Sequence, residues 1–534
     1  MNGLPETDTA GGFRWWLRRR GRADATMGSM TDSNSTRAYP DPWPAPLAAH
    51  PLDATVTIPG SKSLSNRYLI LSTLGTRPVT LVGLLRSRDT DLMMGALKAF
   101  GVKCDVDPDD ETTVTVIPPA SGRFHGGETV YCGLAGTVMR FVPGLALHAD
   151  APVRFDGDAQ AYKRPMKPLL DGLTQMGARV DYEGEEGFLP FTITPPQVID
   201  SADSADSADS ADSADSADSA DSADSADSAA ATELHVTIDS SGSSQFISGL
   251  LMAASRFPRP VAITHRGAHL PSLPHIRMTM ADLQASGISV TMDATADGKP
   301  GDTVDATAGD SATAAVHAVT WHVTPGEVQL PSRVVVEPDL SNAAPFLGAA
   351  LIAGGTVRVP NWPENTTQPG GLLPQYLRNF GADAQRSADG VMTVTSDGVA
   401  SGGVHGLGDF DLSAAGEIAP SLAAIAVLAH GDTALHGIAH LRGHETNRLA
   451  ALVAEITRIG GDAEELDDGI RIGSVPLASL HGAVMETYAD HRMATFAAMI
   501  GLVVPGVEVT NVATTRKTIP DFPGMWNAML AQHR

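Results

Sequence analysis

The chain has 534 residues, a hydrophobic fraction of 43% and a formal net charge of −25 at pH 7. This length allows two or three domains with full cores, and the acidic balance argues against nucleic acid as a general partner. Two cysteines and the lack of any apolar run of about 18 residues exclude a disulfide framework and predict no membrane-spanning helix, so we expect a cytoplasmic protein without a membrane partner.

The first 44 residues are predicted to be a disordered extension outside the fold. Their basic cluster at 13–20 lacks the apolar core of a secretory signal. We favour translation from Met27 or Met30 as the explanation. An organelle transit peptide and a basic arm for a membrane or nucleic acid are the alternatives.

Six clusters of small or polar residues follow, and each opens an apolar stretch with helical periodicity. They begin at Ser61, Leu134, Ser240, Asp339, Asp411 and Tyr488. Each stretch leads to a β-branched strand and a second helix, which ends at a Gly before further strands, as in AFGVKCDV from Ala99. The pattern predicts six βαβαββ units and an α/β (α+β) fold in which helices pack on sheets.

Two low-complexity inserts interrupt the repeat. One spans 200–230 and contains SAD repeats at 201–227, and the other is a Thr/Ala/Asp/Gly-rich stretch at 293–319. Both follow the second helix of a unit, where a hairpin tip tolerates additions because the cost of loop closure grows slowly with length. The SAD tract lacks an apolar face, which predicts disorder or loose order.

The sixth unit ends after its second helix, near Trp526–Gln532, and no strands remain to complete it. We predict that Leu52–Ile58 fills this vacancy, which would bring the start and the end of the chain together. The predicted division is a discontinuous domain of residues 45–61 and 338–534 with units four to six, and a middle domain of residues 62–337 with units one to three.

Lysine, arginine and carboxylate side chains recur near the helix starts. They occur in PGSKSLSNR from Pro59, LAGTVMR from Leu134, KRPM from Lys163, SSQ from Ser243, HETNR from His444, DHR from Asp490 and RK from Arg516. Helix starts present free N–H groups and a positive dipole end, and Arg and Lys bind carboxylates and phosphates. A capped helix with surface charges explains any single segment, but together the segments predict a cleft for small anions.

With these segments assembled, the chain resembles the 5-enolpyruvylshikimate-3-phosphate synthase family over residues 45–534, apart from the two inserts. PGSKSLSNR, LAGTVMRF, RPM, SSQF, RGHETNRL, YADHRMA and RKTIPDFP occur in the order of that family. The resemblance implies a two-domain, inside-out α/β barrel-like fold with three βαβαββ units in each domain and a ligand cleft between them. It also implies a monomeric transferase without metal or organic cofactor, which moves the enolpyruvyl group of phosphoenolpyruvate to the 5-hydroxyl of shikimate 3-phosphate by addition and elimination.

The resemblance further implies a role for individual residues. Those expected to bind phosphoenolpyruvate are Lys62, Gly136, Arg164, Gln245, Arg448, Arg492 and Lys517. Those expected to line the shikimate 3-phosphate site are Ser63, Arg67, Ser243, Ser244, Ser272, His440 and His444, together with Lys62, Gln245 and Glu417. Glu417 is the expected base, Glu445 the expected proton donor, and Lys62 a participant in proton transfer.

Some residues depart from the family pattern. Leu134 and His440 stand where many members have Asn, His275 where many have Tyr, and His444 where many have Lys. These differences concern contacts to substrate and leave the implied reaction type intact.

Two other functions share parts of this pattern. The sister enolpyruvyl transferase that acts on UDP-N-acetylglucosamine has the same fold but uses a loop cysteine as its acid. Here Cys104 falls in a predicted strand and Cys132 lies just before a helix cap, so neither suits that role. A non-catalytic anion-binding module is the second alternative, and the combined set of Lys, Arg and two glutamates argues against it.

Overall fold

The computed structural model describes residues 38–196, 232–267, 270, 272–295, 318–443 and 445–532. Most of the predicted extension, the SAD tract and His444 therefore lie outside the described residues. The helices in these ranges are α1 (Lys62–Leu74), α2 (Arg88–Ala99), α3 (Gly136–Phe141), α4 (Lys167–Gln175), α5 (Gln245–Ala254), α6 (Leu273–Ala285), α7 (Ala344–Ala353), α8 (Leu373–Asn379), α9 (Ala419–Leu428), α10 (Arg448–Arg458), α11 (His491–Gly501) and α12 (Phe522–Ala531). None of them has the length and apolarity needed to traverse a bilayer.

Short strands alternate with these helices along the chain. The strands in the described ranges are β1 (Trp43–Pro44), β2 (Leu52–Thr55), β3 (Val79–Val82), β4 (Lys103–Val106), β5 (Val114–Ile117), β6 (Thr129–Tyr131), β7 (Val153–Asp156), β8 (Arg179–Tyr182), β9 (Phe191–Thr194), β10 (Leu234–Ile238), β11 (Val261–His265), β12 (Ser289–Thr295), β13 (Ala318–Thr324), β14 (Arg333–Val335), β15 (Gly355–Val359), β16 (Asp383–Arg386), β17 (Met392–Ser396), β18 (Gly408–Asp411), β19 (Thr433–His436), β20 (Asp462–Glu465), β21 (Ile470–Gly473), β22 (Val484–Met485) and β23 (Glu508–Val509).

The described strands form six sheets, and five of these share one pattern of four strands. In the sheet β6-β7-β9-β8 the first two strands are parallel, and the remaining two pair antiparallel as a hairpin. A parallel pair requires a crossover, which the first helix of each unit supplies, and the second helix leads into the hairpin. The predicted βαβαββ units are therefore confirmed, with a three-stranded sixth sheet, β1-β23-β22.

The strand that completes the sixth unit differs from the prediction. Leu52–Thr55 pairs in parallel with β15 of the fourth unit, whereas β14 pairs in parallel with β3 of the first unit. The proposal that Leu52–Ile58 fills the sixth unit is therefore wrong, and Trp43–Pro44 occupies that place beside β23. The reason is that the chain crosses from one core to the other after β2 and crosses back after β14. Each of these two strands therefore belongs to the core from which the chain departs.

Residues 39–44 belong to the fold, so the predicted extension is too long at its C-terminal end. The Trp43 side chain is 3% exposed and its ring makes an edge-to-face contact with Phe522 at 6.3 Å between centroids. The Tyr39 hydroxyl donates a 2.8 Å hydrogen bond to Asp521 Oδ1. Trp43 is buried because it covers helix α12, which otherwise would expose apolar surface at the edge of the sixth unit.

Helices lie at the centre of each core and sheets lie outside. Helices α7, α9 and α11 contact one another and are apolar and buried over nearly their whole circumference, as expected for helices surrounded by protein. Strands such as β15 and β19 bury one face. This is the inside-out arrangement that was predicted, although none of the described sheets closes into a barrel.

Tyr39–Arg534 form one compact unit that contains two hydrophobic cores. One core takes its residues from Trp43–Ile58 and Leu340–Met529, and the other takes them from Leu64–Val336. The two connections between cores run side by side, since Ser61 N donates to Glu337 O and Asp339 N donates to Pro59 O. The domain boundaries at 61/62 and 337/338 stay a prediction.

The second predicted insert is shorter than 293–319. Its first and last residues extend the hairpin of β12 and β13, where Asp293 pairs with Thr320 and Ala294 with Val319. The polar composition of these residues did not indicate a strand, because the outer face of a hairpin can be polar throughout.

We expect Trp43→Ala to lower the free energy of unfolding by about 3–5 kcal/mol, because it leaves a cavity over α12. Chemical denaturation measures this change. Leu47→Ala is the control, since Leu47 is 49% exposed and its truncation should change stability by about 0.5 kcal/mol or less. Equal small effects of the two substitutions would show that residues 39–44 do not stabilise the fold.

Candidate active site

Short contacts connect several of the predicted site residues, and the contacts of Glu417 with His275 and Arg492 join the two cores. On the side of the middle core, Gly136 is the first residue of α3. A Cβ atom at this position would lie 2.9 Å from both Arg140 Nη1 and Arg164 Nη2. The two guanidinium groups therefore approach one another across a backbone that only Gly leaves open.

Arg140 is a site residue that the sequence-based assignment left out. It is 6% exposed, and its Nη1 donates a 3.2 Å hydrogen bond to Gln245 Oε1, whereas its Nε has no partner among the described residues. Burial, reinforced by nearby Arg164, lowers the pKa of Arg140 to about 9. The LAGTVMR segment was the available signal. Its Arg is buried rather than exposed, which only the packing of α3 against α5 reveals.

Lys62 and Asp339 meet where the two connections between cores run side by side. The backbone N–H of Lys62 donates a long, 3.4 Å hydrogen bond to Asp339 Oδ2. Burial lowers the pKa of the Lys62 ammonium, with a further contribution from Lys517. Burial also raises the pKa of the Asp339 carboxyl. Asp339 is the second residue that the assignment left out, although it begins one of the six predicted helix openings.

Glu417 bridges the two cores. Its Oε1 accepts a 2.7 Å hydrogen bond from His275 Nε2 on the middle core, and its Oε2 lies 3.0 Å from Arg492 Nη2. Burial lowers the pKa of His275, against an opposing contribution from the Glu417 carboxylate. Both oxygens of Glu417 are therefore engaged in the unliganded protein.

Glu445 lies among cations. Its Oε2 accepts a 2.8 Å bond from Arg448 Nη2, and its Oε1 forms an ion pair with Lys517 Nζ. Burial alone would raise the pKa of Glu445, but Lys517, Arg448 and further cations hold it well below its usual range. Arg448 is 2% exposed and is also bound by Asp490 Oδ2, 2.6 Å from its Nε. Glu445 is therefore a carboxylate in this state.

Glu445, Asp490 and His491 are the described group that comes nearest to a metal site. One potential ligand atom of each lies within 4.8 Å of the others. Both carboxylates already bind Arg448, however, and Lys517 and Arg492 add positive charge beside them. This donor set suits charge neutralisation within the protein better than a divalent cation.

The residues expected around shikimate 3-phosphate are brought near the same cleft. Arg67 donates from Nη1 to Ser63 O at 3.0 Å, from Nη2 to His275 O at 2.9 Å and from Nε to Thr279 Oγ1 at 2.8 Å. Much of its donor capacity therefore positions neighbouring residues. The ring of Phe141 lies 5.3 Å from the guanidinium carbon.

The serine and histidine positions are less uniform. Ser243 Oγ accepts a 3.3 Å bond from Gln245 N, and Ser244 is buried. Ser272 has a left-handed backbone with φ of 50° immediately before α6. The His440 ring lies against Gly416, the neighbour of Glu417. His444 lies outside the described residues.

A family model described as EPSP synthase (3-phosphoshikimate 1-carboxyvinyltransferase) matches residues 47–212 and 226–526. The chain belongs to the EPSP synthase family. It is 62% identical over 493 residues to a 3-phosphoshikimate 1-carboxyvinyltransferase of Bifidobacterium longum, covering 92% of this chain and 98% of that one. It is 42% identical over 503 residues to the protein of the same name from Kocuria rhizophila, covering 93% and 98%.

Solved EPSP synthase structures share the fold. Two from Acinetobacter baumannii superpose with TM-scores of 0.66 and 0.65 at 21% sequence identity, and each comparison covers 90% of this chain and 97% of the other. The family assignment agrees with the state of the cysteines, since burial raises the pKa of the Cys104 thiol to about 11 and raises that of Cys132 further. Neither thiol is placed as a mobile acid.

We expect Gly136→Ala to weaken the binding of phosphoenolpyruvate about tenfold, or about 1.4 kcal/mol. The added methyl group would displace Arg164 and Arg140, which lie 2.9 Å from the new atom. Titration calorimetry measures the affinity. Gly95→Ala in α2 is the control, because a Cβ there meets nothing within 4 Å and should stabilise the helix by about 0.5–1 kcal/mol. Unchanged affinity in Gly136→Ala would contradict close contact between ligand and these guanidinium groups.

Proposed function

We propose that this chain transfers the enolpyruvyl group of phosphoenolpyruvate to the 5-hydroxyl of shikimate 3-phosphate and releases phosphate. The observation that carries this proposal is the family membership, together with a cleft in which cations from both cores surround two engaged glutamates. Its substrates are small molecules. We further propose that it acts as a cytoplasmic monomer without nucleic-acid or membrane partners and without a metal or organic cofactor.

Phosphoenolpyruvate binding is proposed for the residues that present positive charge or open backbone to the cleft. These are Lys62, Gly136, Arg164, Gln245, Arg448, Arg492 and Lys517, to which the structure adds Arg140. Support comes from chemistry, because a carboxylate and a phosphate on one small molecule suit several Arg and Lys donors. Each charge-assisted hydrogen bond contributes roughly 1.5–3 kcal/mol.

Shikimate 3-phosphate binding is proposed for a second group, which supplies mostly hydroxyl and imidazole donors. These residues are Ser63, Arg67, Ser243, Ser244, Ser272, His440 and His444, with Lys62, Gln245 and Glu417. The bonds that Arg67 makes within the protein favour an indirect part of its role, in which it positions Ser63 and His275.

The base that takes the 5-hydroxyl proton is proposed to be Glu417, and Asp339 is a second candidate. A general base works best when its pKa approaches the operating pH. Burial raises the pKa of the Asp339 carboxyl, and Asp339 also lies beside Lys62, so it is the second candidate. The position of Glu417 between His275 and Arg492 allows either a base or a positioning group.

The donor of a proton to the methylene carbon is proposed to be Glu445, with Lys62 sharing in proton transfer. The low pKa of Glu445 in the unliganded protein arises largely from Lys517 and Arg448. The carboxylate and phosphate of phosphoenolpyruvate would neutralise these cations and so raise the pKa of Glu445. Substrate binding would thus create the acid that the reaction requires.

An assay of phosphate release tests the function. Release that depends on both phosphoenolpyruvate and shikimate 3-phosphate is expected. Release with UDP-N-acetylglucosamine in place of shikimate 3-phosphate would point to the sister activity. Binding of both substrates without release would leave only an anion-binding module.

We expect Glu417→Gln to lower kcat by roughly 10²–10⁴-fold while shikimate 3-phosphate still binds, because an amide cannot accept the hydroxyl proton. Steady-state kinetics at saturating substrates measure this loss. Asp339→Asn is the matched comparison. A large loss in Asp339→Asn with near-normal turnover in Glu417→Gln would assign the base to Asp339 instead.

Glu445→Gln is expected to lose turnover and to change the KM for phosphoenolpyruvate together, because it removes the proton donor and unbalances Arg448 and Lys517. Steady-state kinetics with each substrate varied in turn measure both effects. Loss of phosphoenolpyruvate affinity with normal kcat would show that Glu445 only balances charge.

The same variant has a second readout in its acid stability. Glu445 has a folded pKa below its unfolded value of about 4.3, so its contribution is present above that pH and is lost as pH falls through the folded pKa. Unfolding measured between pH 6 and pH 3 should therefore show a flatter decline in Glu445→Gln. Glu464→Gln, which removes the exposed ion pair with Arg471, is the control and should leave the decline unchanged.

A further inference from the structure

The backbone just before the anion-binding residues of α11 is strained. Tyr488 and Ala489 are consecutive and have φ of 54° and 55°. Residues with a side chain adopt this left-handed region only when their surroundings impose it. Asp490 follows directly as the N-cap of α11, where its side chain accepts a bond from Arg492 N at 2.8 Å. The turn thus sets the direction in which Asp490 and Arg492 enter the cleft.

A buried carboxylate on α10 holds this turn. Glu455 has no exposed side-chain surface, and its Oε1 accepts a 2.8 Å bond from the Tyr488 hydroxyl. Its Oε2 accepts from the backbone N–H of Glu486 at 3.1 Å and from Arg458 Nε at 3.0 Å. Glu455 lies outside the set of residues that touch the cleft, so its burial is not explained by contact with a substrate.

Arg448 and Glu455 lie seven residues apart, which places them on one face of α10 two turns from each other. Arg448 binds Asp490 at one end of the segment 486–490, and Glu455 binds Glu486 N and Tyr488 at the other. Helix α10 therefore binds the segment 486–490 at two points. Two attachments can hold the strained turn in place, whereas a single attachment would let the backbone relax.

We propose that Glu455 is a positioning residue for the phosphoenolpyruvate site. It imposes the left-handed turn at Tyr488–Ala489. The turn in turn orients Arg492 toward the proposed site and maintains the ion pair between Asp490 and Arg448. This inference rests on the proposed assignment of Arg448 and Arg492 to phosphoenolpyruvate. It predicts a larger effect on phosphoenolpyruvate than on shikimate 3-phosphate, because Arg448 and Arg492 are proposed for the first substrate, whereas the segment 486–490 reaches the second site through the contact of Arg492 with Glu417.

The test compares Glu455→Gln, Tyr488→Phe and the double variant in the full chain. Each single substitution should raise the KM and the Kd for phosphoenolpyruvate, by about tenfold for Glu455→Gln, with the KM for shikimate 3-phosphate within about twofold. The double variant should be no worse than Glu455→Gln, because both changes remove the same attachment. Glu464→Gln on β20, which removes an exposed carboxylate that pairs with Arg471 on β21, is the matched control and should change neither constant.

Direct binding separates this inference from the proposed function. Phosphoenolpyruvate and, as a second probe, inorganic phosphate are titrated into each variant whether or not it turns over. An inactive unsubstituted chain would contradict the function, whereas weaker anion binding in Glu455→Gln would still support the positioning role. Ala489→Gly, added to Glu455→Gln, should recover part of the affinity because Gly adopts the turn without strain. Unchanged anion binding in both single variants, or parallel loss for both substrates, would overturn the inference.

Discussion

Positive charge confined to a partly dehydrated cleft is the constraint on which the rest of this structure depends. Arg140 and Arg164 approach one another at Gly136, and burial lowers the pKa of both. Across the cleft, Arg448 and Lys517 converge on Glu445. The unliganded protein bears unfavourable repulsion and desolvation, and anionic ligands would relieve it. The fold thus brings these cations together before any ligand arrives.

The path of the chain between the two cores determines where some of these charged residues lie. Because β2 and β14 stay with the cores that they leave, the two connections run side by side, and Gly60 forms a bridge with Pro338. Asp339 directly follows this bridge on one connection, and Lys62 lies two residues beyond it on the other. Their proximity therefore follows from the chain topology, and a carboxylate lies beside the cleft lysine without any local sequence relation between them.

The carboxylates of the site differ in role because their surroundings differ. Asp339 is buried and its pKa is raised, whereas Glu445 is held ionised by cations. Glu417 joins the cores through His275 and Arg492. Glu455 is also buried, and it accepts a hydrogen bond from Tyr488 in the left-handed turn. Residue type alone does not distinguish these surroundings.

The sequence by itself determined the six units, the helix starts and most of the cations, because helical periodicity, caps and glycine stops are local signals. It also indicated the family through segments such as PGSKSLSNR and YADHRMA. Strand partners were decided only by the tertiary structure. Alternation in Leu52–Thr55 shows that one face is buried but not against which sheet, so the predicted sixth-unit partner was wrong. Likewise, Lys62 and Asp339 are 277 residues apart in the chain. Their contact, and the pKa shifts that burial produces there, exist only once both cores have packed.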